Sequence, residues 1–133
     1  MLMRKNIFRE KVVIVTGAST GIGRAVAFEF ARQGSKVVIA ARSEDKLVQL
    51  EKEIREAGLE APHCVTDVTR EEDCRRLIET ALSKYGTIDI LINNAGISMR
   101  ALFSEVDLSV LKRLMDVNFW GTVYCTKYAL PYL

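Results

Sequence analysis

Between Val12 and Gly23 the chain reads VVIVTGASTGIG, and the chemistry open to this stretch is the holding of an anion. Gly17, Gly21 and Gly23 remove β-carbons that would keep a ligand off the backbone, and they allow the positive φ angles of a tight turn. Val12, Val13, Ile14 and Val15 read as a strand buried on both faces, with a helix following at once. The free N–H groups of such a turn and the positive end of the helix dipole face one point, which suits a phosphate. An ordinary strand-to-helix turn also fits these residues taken alone. A P-loop does not, because no Gly-Lys-Ser/Thr closes the turn and no lysine is placed to reach a terminal phosphate.

The spacing G-x3-G-x-G is close to the dinucleotide fingerprint without matching it. A second stretch bears on which dinucleotide. Lys36 to Ala41 (KVVIAA) reads as another buried strand and is followed by Arg42. A ribose with a free 2′-hydroxyl is usually held by an acid about twenty residues past the glycines, whereas a 2′-phosphate needs room and a cation. Here Ala41 stands where the acid would be, and a guanidinium can bind phosphate through two hydrogen bonds. The pattern favours NADP over NAD; a solvated arginine without a ligand is the plainer alternative.

These residues need a scaffold, and the chain supplies one in 133 residues, a single domain's worth. After the glycine turn, Ile22, Val26 and Phe30 recur every fourth residue beside Ala25, Ala27 and Ala31, predicting a helix that Gly34 ends. Ser43 is placed to cap the next helix, with Leu47, Leu50, Ile54 and Ala57 as its apolar stripe. A third strand is expected at about 61–66, at a sheet edge or starting only after Pro62. Thr69 to Glu72 (TREE) has the form of a capping box, and Leu77, Ile78, Ala81, Leu82 and Tyr85 supply the helix it would start. Ile88 to Ile92 is a fourth strand, running into Asn93-Asn94-Ala95-Gly96. Leu108, Leu111, Met115 and Phe119 then sketch a helix continuing past Gly121 to about Leu130.

Strand and helix alternate without a hairpin signal, which implies right-handed crossovers and a parallel sheet covered on both faces. The expected architecture is an α/β, doubly wound Rossmann-type sheet, partial, with four strands in the order 3-2-1-4. In such a sheet ligands lie beyond the carboxyl ends of the strands, which directs attention to the glycine turn, to Ala41–Ser43, to Asp67-Val68 and to 93–96.

Other chemistries find little support. With 19 basic and 17 acidic side chains the net charge is +2, and no basic patch is interleaved with aromatics, which argues against nucleic acid. Cys64, Cys74 and Cys125 lack metal-ligand spacing and read as reduced thiols, so the cytoplasm is the default compartment. The sequence contains neither a secretion signal nor an apolar run of about 20 residues to span a membrane. His63, the one histidine, falls at the start of a strand, away from the ligand end, and no metal site is expected.

T-G-x3-G-x-G at Thr16 to Gly23, Asp67-Val68, N-N-A-G at Asn93 to Gly96 and Asn118 in the following helix occur in an order that resembles the short-chain dehydrogenase/reductase family. The resemblance runs from about residue 10 to Leu133. It implies that Gly17, Ser19, Ile22 and Gly23 lie along the cofactor pyrophosphate, that Thr20 and Gly21 of the same turn also belong to the cofactor site, and that Arg42 meets the 2′-phosphate. It further implies that Asp67 accepts from the adenine amine with Val68 against the ring, and that Asn94, Ala95 and Gly96 border the ribose and brace the sheet. Asn118 corresponds to the asparagine of the family's catalytic tetrad, which kinks its helix and helps hold a water. Many NADP-using members carry Arg or Lys just before the second glycine, where this chain has Thr20.

The same family uses a tyrosine, a lysine four residues later and a serine on the preceding strand, the lysine lowering the phenol's pKa for proton exchange with substrate. No Tyr-x-x-x-Lys occurs here, since Tyr124 and Lys127 are three apart. Residues 1–133 are therefore expected to be one dinucleotide-binding domain that stops short of the catalytic segment. Two functions follow: the cofactor half of an NADP-dependent oxidoreductase acting on a small alcohol or carbonyl, or a non-catalytic nucleotide-binding module or inactive fragment. The resemblance also implies association of copies through the helix near Asn118.

Overall fold

Strand β1 (Val12–Thr16) is buried along its whole length, as its unbroken apolar run requires. The computed structural model describes residues 5–133. β1 lies between β2 (Lys36–Ala41), with Val13 opposite Val37, and a strand at Ile90–Ile92, with Ile14 opposite Leu91. The strand His63–Val65 pairs with the outer edge of β2. Numbered along the chain, these last two are β4 and β3, and the all-parallel order is β3-β2-β1-β4, as the alternation predicts. β3 and β4 have three residues each, shorter than the apolar runs suggested. Pro62 stands just before β3 and contributes its carbonyl, which accepts from the Ile39 N–H.

Successive residues of a strand point to opposite faces, and the core divides accordingly. Val13, Val15, Val37 and Ile39 pack against helix α1 (Gly21–Arg32) and helix α2 (Glu44–Glu56), whose Leu47, Leu50 and Ile54 are fully buried. Ile14, Val38 and Ala40 face helix α3 (Glu71–Tyr85) on the other side, through Cys74, Leu77, Ile78 and Ala81. Cys74 and Cys125 meet in this second layer, where the neighbouring Cys125 sulfur and burial push the Cys74 thiol above its ordinary range, and Cys74 Sγ donates to the Val68 carbonyl at 3.5 Å.

Several local expectations are corrected by this packing. The buried stripe of α1 is Gly23, Ala27 and Ala31; Val26 and Phe30 flank it, Ala25 is exposed, and Ile22 is 77% exposed over the ligand end of the sheet. Small residues let the helix approach the sheet closely, so the larger ones fall to its sides. Ala57 is likewise exposed, just past the end of α2. The TREE capping box does not form. The Thr69 hydroxyl and N–H both donate to Asp67 Oδ1, at 2.7 and 3.0 Å, and α3 begins after Arg70 without a side-chain cap. Asp67 already takes the Thr69 N–H that the Glu72 carboxylate would accept in a capping box, and α3 starts one residue later than the box requires, with Arg70 at the N-cap position.

The last helical stretch is continuous but not uniform. Helix α4 (Leu108–Met115) passes into a π-helical turn at Asp116–Trp120 and then into helix α5 (Gly121–Ala129). No residue of α4 is buried; Leu108, Met115 and Phe119 stand at least half exposed and Leu111 is half-buried, so the predicted apolar stripe is only partly covered among the described residues. α5 instead packs on α3 through Cys125 and Ala129.

Asp107 caps α4, its side chain accepting from the Ser109 N–H at 2.9 Å and the Ser109 hydroxyl at 2.8 Å. These bonds, the backbone one first, hold its carboxyl below the usual carboxylate range. A lowered folded-state value means the cap's contribution is complete above the unfolded value near 3.8 and is lost as pH falls through the folded value. Asp107→Ala is therefore expected to reduce helicity at neutral pH by far-UV circular dichroism. Asp107→Asn should keep the helix and lose one component of the acid transition; superimposable acid limbs for wild type and Asp107→Asn would show that the cap contributes nothing.

The polar arm expected over residues 1 to about 10 falls partly outside the described residues. From Ile7 to Glu10 it forms a turn docked on the sheet: Ser35 Oγ donates to the Phe8 carbonyl at 2.7 Å, and Phe8 meets Phe30 edge-on. Among the described residues no helix is long and apolar enough to cross a membrane, and no cluster of His, Cys, Asp or Glu could hold a metal ion.

Candidate functional site

The carboxyl ends of the four strands open onto one cavity of about 610 Å³. From the turn after β1 come Gly17, Ser19, Thr20, Gly21 and Ile22, and from the end of β2 come Ala41, Arg42 and Ser43. The loop after β3 contributes Thr66, Asp67 and Val68, and the loop after β4 contributes Asn94, Ala95, Gly96 and Ile97. Of the residues that the family resemblance assigns to cofactor or catalysis, all but Gly23 and Asn118 line it.

The three glycines do different work. Gly17 has φ +63°, and a β-carbon there would lie 2.8 Å from the Ala95 Cα. A β-carbon on Gly23, which is buried, would lie 2.3 Å from both Asn94 Nδ2 and the Gly17 carbonyl oxygen. At Gly21 the same atom would meet open space. Gly17 and Gly23 thus admit the loop after β4, and Gly21 alone of the three has open space where a β-carbon would stand.

That loop is tied to the turn by hydrogen bonds. Thr16 Oγ1, buried, accepts from the N–H groups of Asn94 at 3.1 Å and Ala95 at 3.0 Å. Asn94 Nδ2 donates to the Gly17 carbonyl at 3.1 Å. Asn118, on the π-helical turn, holds the far end of the same loop: its Oδ1 accepts from the Ile97 N–H and its Nδ2 donates to the Ile97 carbonyl, each at 2.8 Å. Its amide is therefore engaged with Ile97 rather than facing the cavity. One turn on, a β-carbon at Gly121 would lie 2.7 Å from Val68 Cγ2, so this glycine lets α5 approach the loop after β3.

Asp67 keeps one carboxylate oxygen on Thr69; the other makes no hydrogen bond among the described residues. The hydroxyls of Ser19 and Ser43 are likewise uncommitted there, and Ser43 sits at the start of α2 without capping it. Sequence reasoning missed Thr66, Ile97, Val117 and Lys46, which also line the cavity. Lys46 had a signal in its spacing, four residues after Arg42 in the first turn of α2. His63 lies off the cavity, half-buried, with Nδ1 on Glu51.

Strand order, glycine turn and strand-end cavity together define a Rossmann-type α/β domain. A family model described as short chain dehydrogenase matches residues 11–133, and the chain belongs to that family. It is 42% identical over 127 residues to a protein named 11-beta-hydroxysteroid dehydrogenase A from Sesamum indicum, covering 92% of this chain and 36% of that protein. Identity is also 42%, over 124 residues, to the uncharacterized oxidoreductase YxnA of Bacillus subtilis (strain 168), covering 93% and 35%. A solved hydroxysteroid dehydrogenase from Escherichia coli superposes with a TM-score of 0.90 at 31% identity, over 96% of this chain and 55% of that one. The chain spans about a third of the length of the curated relatives it matches.

Proposed function

We propose that the cavity binds NADP(H) and that the chain is the cofactor-binding part of an oxidoreductase interconverting an alcohol and a carbonyl. The observation that carries the cofactor choice is the end of β2, where Arg42 lines the cavity and Ala41 occupies the place of a ribose-binding acid. The open space at Gly21 and the uncommitted oxygen of Asp67 fit a pyrophosphate and an adenine amine respectively. The names carried by the relatives, hydroxysteroid dehydrogenases among them, support the alcohol–carbonyl class.

Such a cofactor supplies or accepts a hydride at its nicotinamide. The chain's own residues do the holding: backbone N–H groups of 19–22 toward the pyrophosphate, Arg42 toward the 2′-phosphate, Val68 against the adenine. Asn118 positions the loop after β4 through Ile97. The proton exchange assigned in this family to a Tyr-x-x-x-Lys pair has no such pair in these 133 residues. Binding without turnover is therefore the expected behaviour of the chain. Titration by NADPH fluorescence should give saturable binding at least about tenfold tighter than for NADH, the gain of one charge-assisted contact. NADPH consumption by the purified chain with a carbonyl substrate would overturn the assignment of binding alone, and equal affinity for the two cofactors would overturn the assignment of NADP.

A further inference from the structure

We propose that Lys46 is a second determinant of 2′-phosphate recognition, acting with Arg42 and Ser43. This rests on the NADP reading above and adds to it a residue from a different element. Thr20 leaves the glycine turn without a cation of its own. Lys46, from the first turn of α2, lines the main cavity together with Thr20, Arg42 and Ser43. It also lines a smaller cavity of about 490 Å³ between the starts of α1 and α2, again beside Ser19, Thr20 and Gly21. The lysine therefore approaches the turn from the neighbouring helix and brings a positive charge to the place where the turn has none.

Its neighbour in the smaller cavity cannot do the same. Arg24 is paired with Glu53, the carboxylate of α2 that faces it. Neither Arg42 nor Lys46 makes an ion pair among the described residues. Asp45 shares the smaller cavity but not the main one, so residues 42–46 bring two cations and no carboxylate to the main cavity, whose one lining carboxylate is Asp67, from the loop after β3. A dianionic phosphate on the ribose can take the planar fork of Arg42, the point charge of Lys46 and the uncommitted hydroxyl of Ser43 together. A free 2′-hydroxyl carries no charge for the ammonium to pair with, and that difference makes the residue a specificity determinant rather than a general anchor.

The test is fluorescence titration of the 133-residue chain and its variants with NADPH and with NADH. Lys46→Met, which keeps the aliphatic stem, should weaken NADPH about tenfold and leave NADH unchanged, and Lys46→Arg should restore the NADPH preference. Arg42→Ala is run beside them. If Arg42→Ala weakens NADPH while Lys46→Met does not, the inference about Lys46 falls and the NADP reading stands. If the wild-type chain shows no preference for NADPH, both fall.

Discussion

Gly23→Ala is expected to destabilise the chain by about 3 kcal/mol, at the upper end of the range for overpacking a close contact. The new β-carbon would stand 2.3 Å from the Gly17 carbonyl oxygen and the same distance from Asn94 Nδ2. The amide of Asn94 can swing aside, but the carbonyl belongs to the backbone of the turn. Either the start of α1 moves away from the sheet or the turn opens. Both displace the N–H groups proposed to hold the pyrophosphate; losing two such bonds, at about 1–1.5 kcal/mol each, weakens NADPH about a hundredfold. Denaturant titration should show a lower midpoint with an unchanged slope. A Gly23→Ala chain with wild-type midpoint and wild-type NADPH affinity would mean that the turn and the loop after β4 do not meet as described.

Thr16→Val is the second large effect, and it works through the same junction without adding bulk. Valine matches threonine in shape but cannot accept the two N–H groups that converge on Thr16 Oγ1. Asn94 retains an alternative, since its N–H also reaches the Ile92 carbonyl at 3.1 Å. Ala95 has no second acceptor among the described residues and is left with an unsatisfied, partly buried donor. The expected cost is about 1–3 kcal/mol. Thr16→Ser, which keeps the oxygen, should recover most of it. If Thr16→Val and Thr16→Ser are equally stable, the hydroxyl does not join the ends of β1 and β4, and the bracing assigned to Asn94 and Ala95 is lost with it.

Both variants act where two strands far apart in sequence end side by side, which is also where sequence reasoning reached its limit. The run KVVIAA coincides with β2 residue for residue, and Leu47, Leu50 and Ile54 are the buried face of α2, because their spacing reflects contacts repeated along one element. Arg42 and Asp67 were legible for a similar reason: once the strands were placed, the crest residues followed from position alone. Gly23 was recognisable as part of a turn but not for what it accommodates, since Asn94 lies some seventy residues on. Lys46 was passed over because it lies between the Ser43 cap and the apolar stripe from Leu47, where a solvated helix residue is expected. Thr69 was misread because the capping pattern leaves out Asp67, whose carboxylate takes the Thr69 N–H that the box assigns to Glu72.

By itself the sequence determined the alternation of elements, the parallel sheet, the glycine turn and the cation at the end of β2, all of which depend on residues within a few positions of one another. The tertiary structure decided which glycine opens on the cavity and which faces another loop, that Asn118 grips Ile97, that Lys46 lines the same cavity as Arg42, and that the apolar face of α4 stays largely uncovered. These outcomes come from the lateral packing of distant segments. Periodicity along the chain carries no record of which loops will lie side by side once β1 has paired with β2 and β4.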